Sequence, residues 1–380
     1  MKLPENLQDF LTTHRRNLHK IPELGMQEYK TQAYLRSVLE TLPCTIEEVA
    51  GTGLLALFKA ENPVQEGTIA FRADIDALPM TEATGAEYAS THPGKMHACG
   101  HDGHMAMALG MAYTVSQNLD TIPCDVLIVL QPGEESPGGA KFVCESGFLQ
   151  RYNVKRIFGL HVAPGTPAHT LTAFCGPAMA RTAELDITIL GKSAHCSRPE
   201  LGVDAAYIAV HLLTDLYTME ETELPSDVRR LLKFGKIDCG TVRNVLSDKA
   251  VINGTLRSFD DSIFAFMRGR IFAIAKSYEE KYGCTIRIDL AEGYPPLVNK
   301  PEIFRQCVDA VTAAGIPFVE RTAPSLGGED FAYYLQEVPG AFLDLGTGFD
   351  EGLHTINFRM DETTLATGVK AFCALLNMPL

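Results

Sequence analysis

Residues 97–104 read His97-Ala98-Cys99-Gly100-His101-Asp102-Gly103-His104, which puts three imidazoles, a thiol and a carboxylate into one short stretch. Thiolate and imidazole are strong ligands for zinc-like transition metals, and a carboxylate beside them can orient an imidazole from behind. Cys99 and His101 lie two apart with Gly100 between them, so an extended or turning backbone can aim both at one point. Any one of these histidines is accounted for by a buried ring satisfied by backbone partners; the cluster favours a metal site. A second signal is the pair Glu134-Glu135, directly after an apolar run. Adjacent side chains diverge, so one carboxylate can hold a metal while its neighbour faces a water acidified by that metal. A Cys99 nucleophile is the rival chemistry, weakened because His101 is too close in sequence to act as its base.

These residues need elements to position them. Apolar patterning predicts strands at 53–59, 68–76, 125–131 and 156–162, with His161 near the end of the last. The second strand ends in Asp74 and Asp76, which the period-2 rule puts on one face. The run 125–131 is apolar throughout, as in a strand covered on both faces, and Pro132-Gly133 stops it. Helical periodicity occupies 4–40, broken at 19–25, and helices are expected at 104–115 and 138–148. This alternation predicts an α/β fold with a mostly parallel central sheet flanked by helices. Asp74, Glu134, Glu135 and His161 then all fall at or just past the C-terminal ends of strands, where open α/β sheets form ligand crevices.

From about residue 180 the texture changes. Segment 183–195 alternates apolar and polar residues, followed by a helix at 203–219, strands at 235–242 and 249–258, a helix at 260–282 and a strand at 284–293. Half-exposed strands with two helices predict an α+β unit, its helices on one face of an antiparallel sheet. The expected organisation is a catalytic domain of residues 1–180 and 292–380, with 181–291 inserted as a second domain. After 300 the buried style returns, with a helix at 301–314, a strand at 341–346, His354, and a helix at 361–376.

Bulk properties limit the partners. A net charge of −14 argues against nucleic acid and anionic membrane surfaces. No apolar run is long enough to span a bilayer, and the mixed, polar N-terminus does not read as a signal peptide. The ten cysteines form no C-x-x-C pair, which points to a reduced, cytoplasmic setting.

The sequence resembles the aminoacylase/carboxypeptidase-type metallopeptidases, in the branch of hippurate hydrolases, indole-acetyl–amino acid hydrolases and N-acyl-amino-acid deacetylases. The resemblance runs nearly end to end. It is carried by HKIPELGMQE (19–28), FRADIDALPM (71–80), HPGKMHACGHDGHMA (92–106), QPGEESPGGAK (131–141), GLHVAP (159–164), GKSAH (191–195), GTLRSFD (254–260), GGEDFAYY (327–334) and LHT (353–355). It implies two divalent metals, manganese or zinc before cobalt or nickel, held by a bridging Cys99 with His101, Glu135, His161 and His354. Glu134 would be the general base, with Asp74 and Asp102 behind the ligands. His195 would act on the oxyanion or the substrate carboxylate, with Arg257 and Gly328 as further substrate contacts. The inserted domain would serve as lid and dimerisation element in a homodimer or higher homo-oligomer.

The implied activity is hydrolysis of N-acyl (acetyl, benzoyl or similar) amino acids. The alternatives are a dipeptidase or carboxypeptidase on the same site, and a non-catalytic metal-bearing binding protein. The run Cys196-Ser197-Arg198-Pro199-Glu200 departs from the family's commonest pattern, so specificity does not transfer from any one relative. Ala77, where acetyl-diaminopimelate deacetylases are associated with Gly, points away from that substrate.

Overall fold

A computed structural model describes residues 1–379, which divide into two compact units. The first comprises Met1–Gly176, Val298–Ala323 and Asp330–Leu380; the second comprises Pro177–Leu297 and Pro324–Glu329.

The chain opens with α1 (Leu7–His19), α2 (Tyr29–Leu39), β1 (Thr45–Val49), β2 (Gly53–Phe58) and β3 (Thr68–Asp74). It continues through α3 (His101–Ser116), β4 (Asp125–Gln131), α4 (Gly139–Glu145), α5 (Phe148–Arg151), β5 (Val154–Ala163) and β6 (Leu171–Ala173). After β7 (Gly176–Met179), the second unit holds β8 (Arg181–Leu190), α6 (Ala205–Thr222), β9 (Arg230–Cys239), β10 (Lys249–Ser258), α7 (Asp261–Tyr282) and β11 (Thr285–Glu292). Last come β12 (Leu297–Asn299), α8 (Pro301–Ala313), β13 (Phe318–Glu320), α9 (Ala332–Glu337), β14 (Gly340–Gly346) and α10 (Thr364–Leu376).

The first unit is built on an eight-stranded sheet in the order β1-β2-β4-β3-β5-β14-β6-β13. Its centre, β4-β3-β5-β14, is parallel, and β2 joins β4 antiparallel. Alternation along the strands explains the layers. Ile69, Phe71 and Ala73 of β3 face the main core with Leu11, Met105, Leu109, Val369 and Phe372, while Arg72 and Asp74 point to the other side. The α3 helix is buried along nearly its whole length, which its Ala/Met-rich composition permits. It begins at His101, three residues earlier than the apolar pattern predicts, so His101 and Asp102 sit in its first turn.

The second unit is a four-stranded antiparallel sheet in the order β11-β8-β10-β9. The alternating residues Ala183, Leu185, Ile187 and Ile189 of β8 share a core with α6 and α7. The β8 strand stops at Leu190, leaving His195 in the following loop, and β9 begins at Arg230, five residues before the predicted start. Both helices are capped by aspartate: Asp204 accepts from Ala206 and Tyr207, and Asp260 from Ser262 and Ile263.

Gly159 of β5 lies opposite Phe342 of β14, and a Cβ there would meet the Phe342 ring at 2.7 Å and the Phe331 ring at 3.0 Å. Gly159→Ala is therefore expected to overpack the sheet and lower stability by about 1–3 kcal/mol, read as a lower urea midpoint with an unchanged m-value.

Candidate active site

The chemistry-bearing residues converge at one edge of the parallel sheet. Asp74 ends β3, Glu134 and Glu135 follow β4, and His161 lies near the end of β5. Cys99 precedes α3, and His101 is the helix's first residue. Between them Gly100 has φ +83°, and a Cβ on it would lie 2.4 Å from Val162, so only glycine fits this turn. His354 adopts φ +59°, and its backbone N–H donates to the Ala98 carbonyl at 2.9 Å, tying this late loop to the Cys99 turn.

Within the cluster, Cys99 Sγ lies 3.4 Å from His161 Nε2 and His354 Nε2 lies 3.0 Å from Glu135 Oε1. His101 Nε2 lies 4.0 Å from Glu134 Oε2. The donor atoms form overlapping triads, each within 4.8 Å: Cys99/His101/His161, Cys99/Glu135/His354 and His101/Glu134/Glu135. Cys99 belongs to two of them. The Nδ1–H of His161 donates to the Val162 carbonyl at 2.8 Å, and that of His101 to the Asp76 carbonyl at 2.9 Å. In their neutral form both rings therefore present the Nε2 lone pair to the cluster.

This donor set fits divalent metal ions. His101 Nε2 is buried with no hydrogen-bond partner, and thiol, imidazole and carboxylate together form a transition-metal ligand set. Protonation points the same way. Burial opposes charge on His101, but Asp74, Asp76 and Glu135 outweigh it and lift its pKa to about 10. Burial, then Glu135, Glu134 and Asp74, push the Cys99 thiol far up. The hydrogen bond to Glu135 raises His354. Burial alone would raise Glu135, yet His354 and His101 hold it below the usual range. These shifts favour the protonated Cys99, His101 and His354 beside an ionised Glu135, so a cation entering the cluster displaces protons.

Behind the donors lies a buried polar network. Arg72 Nη1 donates to Asp74 at 2.6 Å, Nη2 to Asp330 at 2.8 Å, and Nε to Gln131 at 2.7 Å. The other oxygen of Asp74 accepts from His104 Nδ1 at 2.7 Å, and His104 Nε2 accepts the Val162 N–H at 3.0 Å. With both nitrogens engaged, His104 is a brace between β3 and β5; burial keeps it neutral, with a pKa near 4. Asp76 lies beyond the end of β3, so it does not act as Asp74's same-face partner. Its Oδ1 is 3.3 Å from His101 Nδ1, and its Oδ2 accepts the Glu135 N–H at 3.0 Å.

Asp102, expected behind the ligands, turns elsewhere. Its carboxylate pairs with Arg15 Nε at 2.7 Å and His19 Nδ1 at 2.8 Å, both from α1, and His19 Nε2 reaches Glu82 at 3.2 Å. His97 is also buried, with no hydrogen-bond partner on either ring nitrogen, and burial lowers its pKa to about 3. Of the remaining expected residues, Cys99, His101, Glu134, Glu135, His161 and His354 gather in the first unit. His195, Arg257 and Gly328 belong to the second. His195 is exposed, with Nδ1 2.8 Å from Ser197 Oγ, and Arg257 is half-buried on β10. A Cβ at Gly328 would meet Thr182 at 2.5 Å. Sequence reasoning passed over Arg72 and Asp330, and singled out His104 and Asp76 without giving either a task of its own. The signal for Arg72 was an arginine inside an apolar strand.

Residues 70–378 match the family model described as Peptidase family M20/M25/M40. This chain belongs to that family. M20 relatives match it over nearly full length. The chain is 36% identical over 358 residues to a Bacillus cytotoxicus protein named N-acetyldiaminopimelate deacetylase, covering 94% of each. A Leuconostoc citreum protein of the same name is 36% identical over 374 residues, covering 96% of this chain and 95% of that one. Among solved structures, a Bacillus subtilis dinuclear metal-binding peptidase of the M20 family superposes with a TM-score of 0.86. It is 31% identical and is covered over 98% of both chains. The expected fold and family are thereby borne out, and the protein is a metal-dependent hydrolase of amide bonds.

Two predictions follow from the buried charges. Arg72→Met leaves Asp74 and Asp330 without their cation and is expected to cost about 3–5 kcal/mol, measured by urea unfolding. For Glu82, burial would raise the pKa, but the hydrogen bonds from His19, Ser90 and Thr84 lower it to about 2. A depressed carboxylate adds stability above its unfolded value of 4.5 and loses it as pH falls towards 2. Glu82→Gln should therefore flatten the fall in melting temperature across that window; an unchanged acid slope would remove Glu82 from the account.

Proposed function

We propose that this enzyme hydrolyses N-acyl amino acids, releasing a carboxylate and a free amino acid, with Glu134 as general base. The observation that carries the reading is the division of labour within one dipeptide. Glu135 faces His354 at 3.0 Å, while Glu134 comes within 4.0 Å of His101 Nε2 in the same buried cluster. A site that only stored metal would need no second carboxylate there.

Cys99, His101, Glu135, His161 and His354 are assigned as the residues that would hold two divalent ions, manganese or zinc. Bound there, the ions would polarise the amide carbonyl and make the attacking water more acidic. Glu134 takes the proton from that water as it adds to the carbonyl carbon, then delivers it to the leaving nitrogen. Asp76 holds His101 in the tautomer that presents Nε2, and His104 holds Asp74. His195 is assigned to the oxyanion or the substrate carboxylate, and Arg257 and Gly328 to substrate binding, on the family resemblance. A homo-oligomer formed through the second unit is proposed on the same basis. All ten cysteines are free thiols, and no helix among the described residues is long and apolar enough to cross a membrane; both accord with the cytoplasmic location we assign.

The relatives' name makes N-acetyldiaminopimelate the first substrate to try, beside N-acetyl and N-benzoyl amino acids and dipeptides. Chelator-stripped enzyme should be inactive, and reloading with manganese or zinc should restore amino acid release from an N-acyl substrate. Preference for dipeptides would move the assignment to a dipeptidase. Glu134→Gln should lower kcat by about 10²–10⁴-fold with two metals still bound; full activity in that variant would overturn the mechanism.

A further inference from the structure

Glu28 stands at the N-cap of α2, yet its side chain makes no cap hydrogen bond. The capping is done by Glu23, whose Oε2 accepts the backbone N–H of Lys30 at 2.8 Å and of Thr31 at 2.9 Å. Glu28 instead turns inward and is fully buried. Its Oε1 accepts the backbone N–H of Gly133 at 2.8 Å, and its Oε2 accepts the Thr52 hydroxyl. Burying a carboxylate is costly, so a residue that could have capped a helix at the surface calls for a reason to lie inside.

The loop it reaches is the one that carries Glu134 and Glu135. Gly133 has φ +61°, and its carbonyl accepts from the N–H groups of Gly138 and Gly139 at 2.9 and 2.8 Å, closing the loop on itself. The Glu28 segment lies directly against this loop: a Cβ on Gly25 would sit 2.1 Å from the Ser136 carbonyl oxygen and 3.1 Å from Gly133 Cα. Two other buried carboxylates grip the backbone of this loop and of the α4 helix it runs into. Asp76 takes the Glu135 N–H at 3.0 Å and Asp330 takes the Ala140 N–H at 2.9 Å. Asp76 holds the loop just after Glu134, Asp330 holds the first turn of α4 where the loop ends, and Glu28 holds the residue before Glu134.

We infer that Glu28 is a positioning residue for catalysis: by fixing the Gly133 N–H it sets the direction in which the next residue, Glu134, projects. The inference rests on the assignment of Glu134 as base. Glutamine at position 28 can keep its oxygen on Gly133 and turn its amide to the Thr52 hydroxyl, which then accepts. Alanine removes the acceptor, and aspartate falls one methylene short of it.

The test measures kcat, KM, metal content and melting temperature for Glu28→Ala, Glu28→Asp, Glu28→Gln and Glu134→Gln. In variants retaining two metals, Glu28→Ala and Glu28→Asp should lose about 10–100-fold in kcat with KM nearly unchanged, while Glu28→Gln stays within about 3-fold of wild type. If Glu28→Ala does not fold, the contrast between Asp and Gln decides alone. Undiminished kcat in Glu28→Asp, or an equal kcat loss in Glu28→Gln, would overturn the inference. An inactive Glu134→Gln beside an active Glu28→Asp would sink this inference alone; an active Glu134→Gln would sink the base assignment and this inference with it.

Discussion

A guanidinium buried in the middle of a parallel sheet sustains the rest of the site. Arg72 shares its three nitrogens among Asp74, Asp330 and Gln131, and each of these makes a further contact. Asp74 fixes His104, Asp330 fixes the backbone of Ala140, and Gln131 accepts from Tyr334 at 3.1 Å. Removing charge from water is tolerable here because every bond is charge-assisted and the fork geometry of arginine serves several acceptors at once. One permanent cation thus compensates an acidic wall behind the donor cluster, where divalent ions, when bound, would supply the remaining positive charge.

The donors come from four places in the chain, and none holds its position alone. The Cys99–His101 turn is tied to His354 through Ala98, His101 to Asp76, and His161 to Val162, whose own N–H rests on His104. Most of these supports are backbone groups or buried carboxylates, which have little rotamer freedom to lose. Pre-organisation of this kind is what allows a general base to work within a fraction of an ångström.

Much of this was legible in the sequence. The apolar runs of β3, β4 and β5 announced a covered sheet, and the placement of Glu134, Glu135 and His161 just past strand ends located the crevice. Helix geometry hid the role of Asp102. Once α3 starts at His101, successive side chains diverge by about 100°, and Asp102 faces α1. The same-face reading of Asp74 and Asp76 assumed a strand running to 76, but β3 stops at Asp74 and the two carboxylates serve different partners. The short strands β1, β6 and β13 left no periodic trace, and β9, largely exposed towards its end, gave a blurred boundary. Glu28 was quoted within a motif but could not be given a task, because its partner is a backbone N–H with no signature of its own.

The pairing of β14 with β5 has a consequence for synthesis. β14 completes the central parallel sheet, yet it lies far beyond β5 in the chain, with the whole second unit made in between. A nascent chain emerging from the ribosome therefore exposes the unpaired edge of β5 for about 10–35 s at ordinary elongation rates. Through that interval His354 does not yet exist, whereas β8, β9, β10 and β11, which pair only with one another, are all made within it. Chaperones that shield apolar strand edges would find their longest-lived target here in the half-made sheet.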